Sequence, residues 1–249
     1  MLSAAAAGST LLTTRAADAR GYGTGPRVLL VGGSQVAGPF GQYLRKALNA
    51  GGYVAKREAK SASGLARPDF FNWPKIAADL LDDFQPDAVM VMFGANDAQG
   101  QRMPKGHETR WIRWHEPGWL DEYRRRVNAF LDLLSPQDSR QVFWIGMPAM
   151  RDKRLDSRVQ TINDVYAAEV EARESGFYFE SRPVLADDDG GFIDHMRIKG
   201  HKVRIRAHDG IHMRGPGATR LVGYVQPLIE AHVLLVPTVG ASHGLPPQV

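Results

Sequence analysis

The sequence contains no cysteine among its 249 residues. Disulfide bonds, a thiolate nucleophile and a cysteine-ligated metal are therefore excluded. No uninterrupted apolar run approaches the length of a membrane-spanning helix. The sequence also has no strong excess of charge of one sign. Its formal net charge of +4 is too small to indicate a nucleic-acid partner. We expect no nucleic-acid partner and no cofactor. A metal is not expected either, because the acidic turn Asp187-Asp188-Asp189-Gly190 does not fit the spacing of a calcium loop.

The chain is long enough for one large domain. Hydrophobic residues make up 43% of the sequence and charged residues 23%, a composition typical of globular proteins. Residues 1–25 are rich in Ala, Thr and Gly, and we interpret them as a flexible leader or linker, with Ala17-Asp18-Ala19 similar to an export cleavage site. Residues 236–249 are predicted to form a loose tail. The folded domain is expected to span residues 26–235.

Strand-like and helix-like segments alternate within this domain. Apolar runs predict strands at Val28–Val31, Tyr53–Val54, Ala88–Phe93, Val142–Met147 and Phe177–Phe179. Helical spacing predicts helices at Phe40–Leu48, Asn72–Phe84, Trp119–Leu134, Ile162–Val170 and Leu221–Ile229. This alternation predicts an α/β fold, a three-layer αβα domain with a doubly wound, flavodoxin-like parallel sheet.

A glycine-rich turn, Gly32-Gly33-Ser34, follows the first predicted strand. A phosphate-binding P-loop is excluded because Pro39-Phe40 stands where the Lys-Ser/Thr pair is needed. A dinucleotide-binding turn is disfavoured because the G-x-G-x-x-G spacing is missing. Two interpretations stay open: a plain turn, which is the commoner use of such residues, or a nucleophilic Ser34 at the carboxyl end of the strand.

Two later segments favour the nucleophile. FGANDAQ, residues 93–99, leaves Asn96 at the carboxyl end of a strong strand, where its amide can donate a hydrogen bond to a developing oxyanion. AHDGIHM, residues 207–213, spaces Asp209 and His212 so that the carboxylate can orient the imidazole toward a serine. The alternatives are an Asx turn at Asn96 and a helix start at Asp209. The combination with Ser34 is more specific than any one segment.

These segments make the sequence similar to the SGNH hydrolases, also called GDSL esterases and lipases. VGGSQVAG resembles the serine block of that family, SASGLARPDFFNWP the glycine block, FGAND the asparagine block and DGIHM the last block. The resemblance implies the SGNH hydrolase fold, with Ser34 as nucleophile, His212 as base and Asp209 as the residue that orients the base. It also implies an oxyanion hole formed by the backbone N–H groups of Ser34 and Gly64 and the side chain of Asn96.

The serine turn departs from the family pattern. The usual Gly-Asp-Ser-Leu is Gly32-Gly33-Ser34-Gln35 here. Gly33 removes an acid that normally helps to hold the turn, and Gln35 replaces an apolar contact. Because the nucleophile, the base and the oxyanion donors remain, we still expect activity.

The resemblance, over about residues 27–232, implies a serine esterase that removes O-acetyl or other short acyl groups from envelope carbohydrate. The alternatives are an O-acyltransferase that uses the same residues, and a non-catalytic glycan-binding or scaffold domain. GLARPDFF, FWIGMPAM and DGIHMRGPGA are similar to a bacterial branch whose members are mostly exported. A periplasmic or otherwise exported protein is therefore implied, with a cytoplasmic location as the alternative.

Substrate contacts are expected in the insertion between Ala98 and Gly118. Its Trp111, Trp114 and His115 are candidates for a pocket wall that stacks on sugar rings, and packing over the sheet edge is the equal alternative. The basic stretch RIKGHKVRIR, residues 197–206, alternates as an extended hairpin does. It can face an anionic glycan or a membrane or envelope surface, although a solvated face is the commoner role of such a stretch.

Overall fold

A computed structural model describes residues 24–235 of the chain. In chain order its elements are β1 (Arg27–Gly32), α1 (Ser34–Ala37), α2 (Pro39–Ala50), β2 (Val54–Ala59), α3 (Trp73–Phe84), β3 (Ala88–Met92), β4 (Gln101–Arg102), β5 (Trp111–Ile112), α4 (Trp119–Leu134), β6 (Gln141–Ile145), α5 (Lys153–Glu171), β7 (Gly176–Phe179), α6 (Arg182–Leu185), β8 (His195–Ile198), β9 (His201–Arg204) and α7 (Gly215–His232). All but the last two residues of the predicted leader, and the whole predicted tail, lie outside the described residues.

Five parallel strands form the central sheet, in the order β2-β1-β3-β6-β7. Counted within the sheet alone this is the flavodoxin-like order 2-1-3-4-5, so the predicted doubly wound sheet is confirmed. β1 and β3 are buried along their whole length, which is why their sequences are unbroken apolar runs. The strand order reverses between β1 and β3. Ligands of such sheets bind at this switch point, beyond the carboxyl ends of the strands.

Helices cover both faces of the sheet. Alternate residues of β1 point into two separate cores, with Val28 and Leu30 on one side and Leu29 and Val31 on the other. α2 and α7 pack on the first side, and α3, α4 and α5 on the second. The predicted three-layer αβα architecture is therefore confirmed.

Some elements extend beyond their predicted bounds. β2 is an edge strand in which only Ala55 is buried, so its polar side chains hide the strand pattern after Val54. α5 and α7 begin earlier than predicted because their first turns are mostly polar or small residues without apolar spacing. The hairpin expected in the basic stretch is the antiparallel pair β8–β9. The insertion contains the short pair β4–β5, whose two-residue strands are too short for a periodic pattern.

Candidate active site

The serine turn follows β1 and leads into α1 at the switch point of the sheet. Only glycine fits at position 32, because a Cβ there would lie 2.4 Å from both the carbonyl oxygen of Met92 and the side chain of Val36. The Gly33 N–H donates a hydrogen bond of 3.1 Å to the same carbonyl of Met92. Ser34 follows as the first residue of α1 and is half-buried. The turn therefore places Ser34 beside the carboxyl end of β3.

Contacts from β2 support this turn in the absence of the family's acid. Arg57 donates hydrogen bonds of 2.9 and 3.0 Å to the carbonyl oxygens of Val36 and Ala37, at the end of α1. The N–H of Lys60 donates to the carbonyl of Gly32 at 3.1 Å. The support that Gly33 was expected to remove is thus supplied by β2 and the residue that follows it.

Ser34, His212 and Asp209 lie in one line of hydrogen bonds. The Ser34 Oγ lies 2.7 Å from the Nε2 of His212, and the Nδ1 of His212 lies 2.7 Å from the Oδ2 of Asp209. With the Nδ1–H donating to the carboxylate, the Nε2 is free to accept from the serine hydroxyl. Ser34 is the first residue of α1, whereas Asp209 and His212 lie in the loop that precedes α7.

The Asp209 carboxylate is held by the backbone of its own loop as well as by the imidazole. Its Oδ1 accepts hydrogen bonds from the N–H groups of Ile211 and His212 at 2.8 and 2.9 Å. Partial burial acts to raise the pKa of Asp209, but the hydrogen bonds from the His212 side chain and the two N–H groups outweigh it and lower the pKa to about 2. Asp209 is therefore a carboxylate at any pH near neutrality.

The loop of His212 also rests on a buried cation. Arg206 is fully buried, stacks on the ring of Phe192 and donates hydrogen bonds to the carbonyl oxygens of Ala149 and Ile211 at 2.8 and 2.9 Å. Burial lowers the pKa of Arg206 to about 10, so the guanidinium stays charged at neutral pH. The sequence showed Arg206 only as part of a basic stretch. Its partner, the carbonyl of Ala149, is distant in the chain, so no local pattern predicts the contact.

The three expected oxyanion donors lie around the same turn. The Asn96 Nδ2 donates to the carbonyl of Ser63 at 3.2 Å, and it lies 3.5 Å from the position that a Cβ on Gly33 would take. Gly64 follows Ser63 and is buried. Within residues 24–235, the backbone N–H groups of Ser34 and Gly64 make no hydrogen bond. Both N–H groups are thus unused, as an oxyanion hole requires.

Asp97 anchors the segment of Gly64, and sequence reasoning missed it. Its carboxylate accepts hydrogen bonds from the N–H groups of Leu65 and Ala66 at 3.1 and 2.8 Å, and from the Tyr123 hydroxyl at 2.8 Å. Complete burial raises the pKa of Asp97, although these hydrogen bonds oppose the shift. The sequence did offer a signal for Asp97: it is an acid next to the candidate Asn96, just after a buried strand. A carboxylate buried at such a place needs hydrogen-bond donors from neighbouring segments.

Residues 27–228 match a family whose description is "Protein of unknown function (DUF459)". The chain belongs to this family. A comparison of this DUF459 member with curated proteins found no match.

The fold of this DUF459 member is similar to those of several solved structures. A lipase/acylhydrolase from Enterococcus faecalis is 16% identical, with a TM-score of 0.55, and the match covers 86% of this chain and 100% of that one. A carbohydrate esterase family 3 protein from Talaromyces cellulolyticus is 14% identical, with a TM-score of 0.56 and coverage of 84% and 98%. A protein described as an SGNH hydrolase from Slackia heliotrinireducens is 15% identical, with a TM-score of 0.53 and coverage of 81% and 97%. The SGNH hydrolase fold expected from the sequence is confirmed.

The insertion of this DUF459 member is anchored by its tryptophans. Trp111 lies under the guanidinium groups of Arg67 and Arg102, with ring distances of 4.8 and 5.3 Å. Trp114 packs at 4.1 Å from the ring of Trp119, the first residue of α4. Both rings are half-buried, and no hydrogen bond or ring contact among the described residues joins either of them to the triad. His115 is exposed. A substrate-binding role for these three residues stays a prediction.

Two cavities in the described part of this DUF459 member differ in their relation to the predicted site residues. One of about 170 Å³ is lined by Gly64, Leu65, Phe71 and other mostly apolar side chains. A wider one, of about 740 Å³, lies against the β8–β9 hairpin and contains none of the predicted site residues, so we give more weight to the smaller cavity. Between residues 24 and 235 the structure shows no group of metal-ligating side chains and no helix long and apolar enough to cross a membrane.

Proposed function

We propose that this DUF459 member is a serine acyl hydrolase with a Ser34-His212-Asp209 triad. The observation that carries the proposal is the pair of 2.7 Å hydrogen bonds that joins the three side chains in the order hydroxyl, imidazole, carboxylate. A plain turn between a strand and a helix has no need of an imidazole aimed at its hydroxyl and backed by a carboxylate.

The proposed reaction proceeds through an acyl-enzyme. The Ser34 Oγ attacks the ester carbonyl carbon while the Nε2 of His212 takes the hydroxyl proton, and Asp209 stabilises the resulting imidazolium through the Nδ1–H. His212 then gives this proton to the leaving alcohol oxygen as the carbon–oxygen bond breaks. Water attacks the acyl group with His212 again as base, which releases the acid and restores Ser34. Proton transfer by a placed side chain contributes typically about 10²–10⁴-fold to such rates.

The oxyanion of each tetrahedral intermediate is proposed to bind the N–H groups of Ser34 and Gly64 and the amide of Asn96. Support comes from the two N–H groups that make no other hydrogen bond and from the Asn96 amide that points toward the serine turn. Removing one such donor costs about 2.7–4 kcal/mol of transition-state stabilisation.

An O-acylated carbohydrate of the cell envelope, with acetyl or another short acyl group, is the proposed substrate. The fold is shared with a carbohydrate esterase, and the small apolar cavity beside Gly64 favours a short acyl group. The basic β8–β9 hairpin supports an anionic glycan or envelope surface as the partner. An exported or periplasmic location is part of the proposal, and subcellular fractionation with an antibody against the chain tests it.

Labelling with a fluorophosphonate probe tests the triad. We expect wild-type labelling at Ser34, no labelling of Ser34→Ala, and a loss of about 10²-fold or more in His212→Ala. His208→Ala is the matched control, because His208 lies on the same loop but is exposed and contacts Arg204. Labelling of His212→Ala at the wild-type rate would contradict the triad, and a wild-type chain that is not labelled would favour a glycan-binding domain.

Acetate release from a panel of acetylated glycans then tests the substrate. Hydrolysis of nitrophenyl acetate together with acetate release from a glycan supports the proposal. Faster turnover of long-chain than of short-chain nitrophenyl esters contradicts it. A mixture of acylated donor and unacylated glycan distinguishes the O-acyltransferase alternative, which would yield an acylated acceptor in place of free acetate.

A further inference from the structure

The side chain of Gln35 bridges the serine turn to the loop of His212. Gln35 follows the candidate nucleophile directly, and it is only 4% exposed. Its Nε2 donates a hydrogen bond of 2.8 Å to the carbonyl of Ile211, and its Oε1 accepts one of 3.3 Å from the N–H of Met213. These two residues stand on either side of His212. The neighbour of the nucleophile is therefore bonded to both neighbours of the base.

The two partners of the bridge set different demands on its side chain. Ile211 offers a carbonyl oxygen and Met213 offers an N–H, so the bridging side chain must both donate and accept. Leucine, the residue of the usual Gly-Asp-Ser-Leu, can do neither. It would leave the buried N–H of Met213 without a partner and the Ile211 carbonyl with only its hydrogen bond from Arg206. A glutamate can accept from Met213 but, as a carboxylate, has no hydrogen for Ile211. The glutamine is thus more than the loss of an apolar contact.

The bridge adds a second side-chain link between these two segments, beside the contact of Ser34 with His212. Among the hydrogen bonds of residues 24–235, only those of Ser34 and Gln35 join the serine turn to the loop 207–213. Arg206 binds the carbonyl of Ile211 as well, but its other partners lie after β6 and within its own loop. Arg206 therefore holds the loop against the sheet, whereas Gln35 fixes its position relative to the nucleophile.

We infer that Gln35 is a positioning residue that keeps the imidazole of His212 in register with the hydroxyl of Ser34. Its effect on catalysis rests on the proposed function, whereas its effect on the loop does not. The amide next to the serine thus adds a link to the loop of His212, beside the support that β2 and Lys60 give to the serine turn. A displacement of about 1 Å between reacting groups can cost about 10²-fold in rate, so the bridge acts on the chemical step and leaves substrate binding unchanged.

Gln35→Leu, Gln35→Glu and the control Gln42→Leu test this inference. Gln42 is exposed on α2 and donates only to the carbonyl of Ala37. We expect Gln35→Leu to lower kcat for nitrophenyl acetate by about 10- to 100-fold with KM within about twofold of wild type. Gln42→Leu is expected to keep both constants. A kcat of Gln35→Leu within about twofold of wild type, or an equal loss in Gln42→Leu, would overturn the inference.

Gln35→Glu adds a test that a general loss of packing would not pass. Burial raises the pKa of a glutamate at position 35, whereas the guanidinium of Arg206, which binds the same Ile211 carbonyl, opposes this shift. Once protonated, the neutral acid can donate to Ile211 as the amide does. The rate of Gln35→Glu relative to wild type should therefore rise as the pH is lowered from about 8 to about 5. The relative rate of Gln35→Leu should stay constant over that range. A flat ratio for Gln35→Glu contradicts the inference.

Hydrogen exchange separates this inference from the proposed function. In Gln35→Leu we expect faster exchange of the amides in residues 207–213, including that of Met213, while the other segments and Gln42→Leu exchange as in wild type. Unchanged exchange in this loop would overturn the inference even if the chain is an active esterase. Faster exchange would support the bridge even if wild-type Ser34 is not labelled, in which case only the proposed function fails.

Discussion

Replacement of Gly64 by alanine probes the glycine block in the most direct way. A Cβ on Gly64 would lie 2.3 Å from both carboxylate oxygens of Asp97, whereas ordinary contact begins near 3.4 Å. The φ angle of Gly64 is not positive, so alanine meets no backbone strain there. The loss of stability therefore comes entirely from the clash. To relieve it, the new methyl group and the Asp97 carboxylate must move apart by about 1 Å.

The magnitude follows from what holds Asp97. Its carboxylate cannot retreat without weakening the hydrogen bonds from the N–H groups of Leu65 and Ala66, both of which are buried. Each buried N–H that loses its partner costs about 1–3 kcal/mol. We therefore expect Gly64→Ala to lower the free energy of unfolding by about 2–5 kcal/mol. The displaced Gly64 N–H should also slow any labelling of Ser34.

Urea denaturation measures the first effect, with Gly223→Ala as the control. Gly223 is exposed within α7, and a Cβ there would meet no atom within 4 Å. Alanine at 223 should thus raise stability by about 0.5–1 kcal/mol. In an Asp97→Ala background, the cost of Gly64→Ala should shrink by more than about 1 kcal/mol, since the clash is gone. A Gly64→Ala protein within about 0.5 kcal/mol of wild type would refute the reasoning.

Two more substitutions test the electrostatics of the site. Asp209→Asn should lower nitrophenyl acetate hydrolysis by about 10²–10⁴-fold, because the imidazolium loses its carboxylate, and a rate within about threefold of wild type would contradict the role of Asp209. Since hydrogen bonds lower the pKa of Asp209 to about 2 from 3.8, its carboxylate stabilises the fold above pH 3.8 and loses that effect as the pH falls toward 2. The stability difference between wild type and Asp209→Asn in an acid titration should shrink over that window, and it should stay near 1 kcal/mol or below because the carboxylate is half-exposed. Gly33→Asp restores the family's acid and should leave the labelling of Ser34 near the wild-type rate, because Arg57 and Lys60 already hold the turn, and a large loss of labelling would contradict that support.

The parts of the site that follow strands could be predicted from the sequence. Ser34 and Asn96 come directly after the unbroken apolar runs of β1 and β3, and parallel strands bring their carboxyl ends to one edge of a sheet. Asp209 and His212 are close in sequence, so their mutual contact is local. The structure adds that β1 and β3 are neighbours, which no local pattern shows.

The supports of the site could not be predicted, because their partners are distant in the chain. Asp97 binds backbone groups about thirty residues earlier, and Gln35 binds a carbonyl 176 residues later. A polar residue next to a motif gives no sign of which buried backbone group it will meet. The full extent of β2 could not be predicted either. Most side chains of this edge strand are partly exposed, so the strand lacks the apolar pattern on which strand prediction depends.

The contact between Ser34 and His212 joins residues 178 positions apart, and this separation has a consequence for folding. Ser34 enters the growing chain long before His212 is synthesised. The Ser34 hydroxyl therefore lacks its imidazole partner until α7 packs against α2 and brings the preceding loop to the sheet. Contacts of such high sequence separation form slowly, because the loop between them must close first. The rate at which Ser34 becomes open to covalent labelling during refolding would thus report when the last helix has packed on the domain.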